Sequence, residues 1–388
     1  MMEEIDPCHL GVMGKKAMEL HKYPDAIRLF SMGLVQAESL NLPPQFASQF
    51  LMDRAECHWQ LGEVNLALQQ MDKALRHGLP RNANFAEEES ARWSAHGFAH
   101  LETYEYTIAE SCARFALHFQ TLPRTRAHAY LCQAIARYEM GKITGETTET
   151  KEIKRLDPNL AKLHALEMKE NAIRNMKSHN YPRAIRDFNF ALLLHPDDGS
   201  KREFKRSVKS HQADAYFKLK QYQKAIEVGE ESYKSYPDFR SSKEAERWKK
   251  RGNDLWKDSN LVDQAITCYS LALKFTPAIE NVLKATLFSN RSLMYNQQGK
   301  AALALRDALS CMENNPRWPK AHFRLGSCLF AQKKYEDAME KFSGSLRLLL
   351  HEESPSEHQA VDTLYQLLSV ALKLPDGTSS IQYDIPKA

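Results

Sequence analysis

The stretch Tyr181–Pro196, YPRAIRDFNFALLLHP, decides the fold. Ala184 opens the apolar stripe of an amphipathic helix, and Pro196 stops that helix because its ring cannot continue the hydrogen-bond ladder. Related segments stand at Tyr23 (YPDAIRLFSMGL), Tyr222 (YQKAIEVGEESYKSYP) and Tyr335 (YEDAMEKFSGSL). Aligning the chain on Ala26, Ala67, Ala109, Ala184, Ala225, Ala265, Ala304 and Ala338 brings further positions into register. Twelve residues before the Ala stands a small residue: Gly14, Ala55, Gly97, Ala172, Ala213, Ser292 or Gly326. Gly252 lies thirteen before Ala265, so one turn holds an extra residue. Twelve residues after the Ala, Pro196, Pro237, Pro277 and Pro316 end the helix.

This is the arithmetic of two short helices, A and B, whose backbones cross closely where the small residues lie. Phe30, Met71, Phe188, Tyr269 or Phe342 fills the space behind each crossing. The pattern resembles the tetratricopeptide repeat family, with an expected period of about 34 residues. Trp93, Gly97, Ala109 and Ala116, and Trp248, Gly252 and Ala272, follow it most fully. The resemblance covers residues 8 to 350 and implies an all-α, right-handed superhelical solenoid of about nine helix pairs.

Residues 8–120 are expected to hold the first three repeats, and 121–240 a degenerate fourth and repeats five and six. In the fourth, TGETTETKEIKRLDP lacks both the central Ala and the apolar stripe. Residues 241–374 hold the last three repeats and a capping helix from Glu357 to Leu374, and a disordered tail is expected over 375–388.

Composition narrows the function. A net charge of +4 falls short of a nucleic-acid footprint, and the basic stretch Lys201–Lys209 lacks interleaved aromatics. No apolar run approaches the ~20 residues of a membrane helix, and Met1–Leu10 does not read as a secretory signal. The seven cysteines form no Cys-x-x-Cys and are expected to be buried, reduced apolar residues, consistent with a cytoplasmic location. There is no phosphate-binding Gly-rich loop and no Gly-x-Ser-x-Gly, and His351-Glu352 lacks the second His of a zinc protease. The expectation is a binding protein, not an enzyme, with no cofactor and no metal.

One set of polar residues stands out. Lys249 and Asn253 are four apart on one A helix, Asn290 lies on the next, and Lys320 and Arg324 lie four apart on the one after. Two lysines, an arginine and two amides on one face suit an anion, most simply carboxylates. These five positions resemble the dicarboxylate clamp of chaperone-binding tetratricopeptide domains. The resemblance implies a grip on the terminal carboxylate and last Asp of a Glu-Glu-Val-Asp tail. Such tails belong to cytosolic heat-shock proteins of the seventy- and ninety-kilodalton classes. Leu293, Asn296 and Gln297 are expected to line the peptide groove beside the five.

The corresponding positions in the first three repeats carry Gly11, Lys15, Asp53, Ala91 and Ala95, so the charged set is not general to these helices. The implied role is a co-chaperone that docks a chaperone tail on its C-terminal repeats and a second protein on its N-terminal ones. Three readings of the five residues stay open: this clamp, another anionic partner, or plain solvated groove residues. A further alternative for the whole chain is a scaffold of a ciliary, trafficking or import complex that recognises internal segments.

Overall fold

The computed structural model describes residues 6–78, 83–277 and 280–350. Every regular element among them is helical, in the A–B order that the repeat spacing implies. The capping helix expected over Glu357–Leu374 and the tail over 375–388 lie outside the described residues.

Two compact units divide the chain, one of residues 1–174 with 186–202, the other of 175–185 with 203–388. In the first unit the pairs are α1 (Pro7–Glu19) with α2 (Tyr23–Ser39), α3 (Pro44–Gln60) with α4 (Val64–His77), and α5 (Ala83–Glu102) with α6 (Tyr106–Ala116). They are followed by α7 (Pro123–Glu139) with α8 (Thr148–Leu156). Helices α9 (Pro158–Lys177) and α10 (Tyr181–Leu194) both pass from one unit into the other. The second unit continues with α11 (Lys201–Lys218) and α12 (Tyr222–Ser235) and with α13 (Ser242–Leu255) and α14 (Val262–Phe275). It goes on with α15 (Asn281–Gln297) and α16 (Ala301–Asn314) and with α17 (Pro319–Ala331) and α18 (Tyr335–Leu350).

The expected period of about 34 residues needs correction. Only Ala304 and Ala338 are 34 apart, whereas the other consecutive repeats are spaced by 39 to 42. Added length lies partly in the A helices: α3 and α15 have 17 residues and α5 has 20, against 13 in α17.

The turn from A to B is nonetheless uniform. Five residues before the aligned Ala, the backbone takes a left-handed φ at His21, Gly62, Tyr104, His179, Lys220, Gly299 and Lys333. The next amide then reaches back to close the A helix, as from Lys22 to Ala17 (2.8 Å) and Lys300 to Tyr295 (2.9 Å). The repeat with the extra residue departs from this, and a short 3₁₀ turn at Ser259–Leu261 takes up the insertion.

Helix crossings explain the small residues. A Cβ on Gly14 would stand 2.4 Å from the Phe30 ring, one on Gly252 2.7 Å from Tyr269, and one on Gly326 2.9 Å from Phe342. Those rings are all buried, so A and B can approach only over bare backbone. The degenerate repeat keeps its helix but shortens it: α8 has nine residues and is started by a Thr147–Thr150 capping box. It buries Ile153 and, in place of an apolar stripe, a Glu149 carboxylate that accepts from Arg137 of α7. Six cysteines are buried as expected, but Cys8 is exposed, because it sits on the open side of the first helix.

Glu89 on α5 makes stability in the first unit depend on pH. Burial raises its carboxyl from the usual 4.5 to about 7, although Arg92 (2.6 Å) and the Trp93 indole (3.2 Å) both donate to it. A raised acid favours the folded state below its unfolded value and loses that favour as pH climbs through the folded value. The unit is therefore expected to lose about 2–3 kcal/mol between pH 4.5 and pH 8 through this group. Glu89→Gln should flatten that slope in urea melts taken across the range.

Candidate functional site

The site residues lie on three successive A helices of the second unit. Helix α13 carries Lys249 and Asn253, α15 carries Asn290, and α17 carries Lys320 and Arg324. Small residues set their spacing: with Gly252 against Tyr269, α14 packs tightly behind α13, and the Tyr269 hydroxyl reaches the site.

That hydroxyl donates to Asn253 Oδ1 at 2.9 Å, and Asn290 Nδ2 donates to the same oxygen at 3.1 Å. Burial pushes the phenol above its ordinary range, so it stays a donor. With its oxygen taken twice, Asn253 keeps the two N–H groups of Nδ2 for a ligand.

Helix α17 brings the charge. Arg324 is 9% exposed, and its Nε faces Ser289 Oγ on α15 at 3.5 Å, beside Asn290. Lys320 is half-buried, 5.7 Å from the centre of the Trp318 ring. Burial lowers the pKa of both side chains, and for Lys320 the neighbouring Arg324 charge lowers it further. Neither cation ion-pairs with a carboxylate among the described residues. Other arginines of this unit do: the buried Arg251 meets Asp214 at 2.6 Å, and the mostly buried Arg291 grips Asp307 with two bonds of 2.6 and 2.9 Å.

The structure thus joins Asn253 to Asn290 directly, and Arg324 to α15 through Ser289. Lys249 stands apart, since its ammonium ion-pairs with Glu246 one turn back at 2.7 Å. Leu293 is half-buried and packs against the unit's apolar core, Asn296 is half-buried, and Gln297 is exposed. Sequence reasoning missed three residues. Glu246 was visible as an acid three residues before Lys249. Tyr269 had been read only as a space-filler, and Ser289 gave no signal.

The tetratricopeptide repeat family matches residues 12–84 and 291–356. These two segments are similar to tetratricopeptide repeats. Among curated proteins, a stretch of 110 residues is similar to the Hsp70-Hsp90 organizing protein of Triticum aestivum. Identity there is 30%, over 28% of this chain and 18% of that one. Similarity to the mitochondrial import receptor subunit TOM70 of Homo sapiens is 33% over 22% of this chain and 14% of that one. The matches to these two relatives therefore span less than a fifth of their length. Among solved structures, the first tetratricopeptide domain of Spaghetti (RPAP3) bound to the HSP90 peptide SRMEEVD matches at 25% identity. It covers 35% of this chain and 96% of that one, with a TM-score of 0.29.

Among the described residues no helix is long and apolar enough to cross a membrane, and no group of three or more potential ligands gathers for a metal ion.

Proposed function

We propose that the second unit binds the acidic carboxyl-terminal tail of a partner protein, and that this partner is a heat-shock protein of the seventy- or ninety-kilodalton class. One observation carries the reading: Lys320 and Arg324 are desolvated cations with no carboxylate partner among the described residues, and Arg324 reaches Ser289 on the helix whose Asn290 bonds Asn253. A buried cation is costly unless an anion completes it, and a peptide terminus ending in Asp brings two carboxylates. Likeness to Hsp70-Hsp90 organizing proteins supports the choice of partner. The chain then acts as a cytoplasmic co-chaperone adaptor without catalysis, its N-terminal repeats holding a second protein. Double attachment raises the effective concentration of the two partners.

Lys249 joins the clamp by exchanging Glu246 for a ligand carboxylate, which costs little because the competing pair is surface-exposed. After ordering costs, roughly micromolar affinity is expected. Titrating the full chain with fluorescent Met-Glu-Glu-Val-Asp, and with the same peptide amidated at its terminus, tests the reading. Binding that disappears on amidation supports it, and equal binding of the two peptides defeats it. Equal binding instead favours a scaffold that reads internal segments, a reading to which the likeness to an import receptor subunit lends weight.

A further inference from the structure

Helices α1 and α3, the first two A helices, line a groove of about 380 Å³ in the first unit. Much of its surface is apolar: Val12 and Phe46 are large side chains left 67% and 38% exposed, and Phe50 lies beneath them. Gly11 keeps the groove open by presenting bare backbone, where a Cβ would stand 3.2 Å from the Phe50 ring. Lys15, Gln49 and Asp53 supply the polar wall.

Asp53 is the anomaly. It is 7% exposed and, among the described residues, accepts one hydrogen bond, from Gln49 Nε2 at 3.2 Å, and has no ion pair. An ionised carboxylate has about four acceptor positions, so this one is under-satisfied. Burial raises its pKa above the usual carboxylate value, Lys15 and Arg92 oppose this only from beyond ion-pair distance, and Glu56 adds to it. Glu89 feels both Asp53 and Glu56, so three carboxylates from two helices share one neighbourhood. The contrast with Asp307, also buried but gripped by Arg291, shows what Asp53 lacks.

Register sharpens the point. Counted within the repeats, Lys15 and Asp53 stand where Asn253 and Asn290 stand in the second unit, and Ala91 and Ala95 replace Lys320 and Arg324. The same places in the fold carry three cations and no acid in one unit, and in the other a single lysine, one buried carboxylate and small residues.

We propose that this groove binds a segment of a partner protein in which a large apolar side chain lies close to a lysine or arginine. The apolar side chain fills the space over Phe50, and the cation completes Asp53. An acidic tail of the kind suited to the second unit is repelled here by Asp53 and Glu56, so the two grooves take ligands of opposite charge.

The test uses a phage library of random ten-residue peptides selected on the full-length chain carrying Lys320→Ala and Arg324→Ala, which removes ligands of the other groove. Enriched sequences are expected to carry Lys or Arg within three residues of a large apolar residue. A synthetic peptide of that sequence should bind the unmodified chain and lose about tenfold or more on Asp53→Asn, which keeps the shape but not the charge. Val12→Arg, at an exposed position that does not threaten the fold, should weaken it as well by placing a guanidinium in the groove. Both variants should bind Met-Glu-Glu-Val-Asp as the unmodified chain does, so failure of the acidic-tail reading is separable. No enrichment, enrichment without a basic residue, or undiminished binding to both variants overturns the proposal.

Discussion

Arg324→Met is expected to weaken acidic-tail binding about tenfold or more without lowering the melting temperature, whereas Arg291→Met, on the neighbouring A helix, should unfold the unit. Each arginine side chain is mostly buried, and the difference between them is the partner. Arg291 neutralises Asp307, which is 1% exposed, so its removal leaves a buried charge with only a 3.8 Å contact to the exposed Arg306 and should cost about 3–5 kcal/mol. Arg324 has only a long contact to Ser289, so its own desolvation is not repaid within the described chain. Replacing it with Met keeps the packing of the stem and removes the charge, which should leave stability unchanged or raise it. For binding the order reverses. Each charge-assisted bond is worth about 1.5–3 kcal/mol, so removing Lys320 and Arg324 together should lower affinity at least about 100-fold. Thermal melts and titrations with Met-Glu-Glu-Val-Asp on the same samples check both halves. A large loss of stability in Arg324→Met would mean that the guanidinium serves the fold, not a ligand.

Gly229→Val is expected to overpack the second unit and destabilise it. A Cβ at this position on α12 would lie 2.1 Å from Trp248 Cζ2 and 2.6 Å from Cη2. The indole cannot retreat, because it is 1% exposed and carries the Arg251 guanidinium 4.0 Å from its ring centre. Overpacking of this kind costs about 1–3 kcal/mol or more, beyond the fraction regained when glycine leaves a helix. Trp248→Leu alone opens a cavity and should cost about 3 kcal/mol. Combined, the two changes should lose about 1 kcal/mol or more less than their sum, because leucine vacates the volume that valine takes. Urea melts of the four chains measure this coupling, and strict additivity would show that the two residues do not compete for space. Since α13 also carries Lys249 and Asn253, Gly229→Val should weaken tail binding too.

Much of this was legible in the sequence, and particular residues show why. Ala26, Ala184 and Ala338 mark B helices because the repeat demands a small residue wherever two backbones cross. Gly14 with Phe30, and Gly326 with Phe342, were readable as pairs for the same reason. Gly229 was not, because its partner is not in its own repeat but on the first helix of the next one. There the bulk has moved from the usual place to Trp248, and only packing reveals the exchange.

The amino-acid sequence by itself determined the helical class, the pairing of helices and the positions of the five polar residues along their helices. These are properties of local spacing: three or four residues make one helical face, and a recurring Ala makes one repeat. Tertiary structure alone decided which charges are satisfied. Arg291 and Arg324 look alike in the sequence, yet one meets Asp307 and the other meets no carboxylate among the described residues. Lys249 is likewise tied to Glu246, and Asp53 is left with a single amide. Charge pairing depends on distances of a few ångströms between side chains on different helices, and helical periodicity does not encode them.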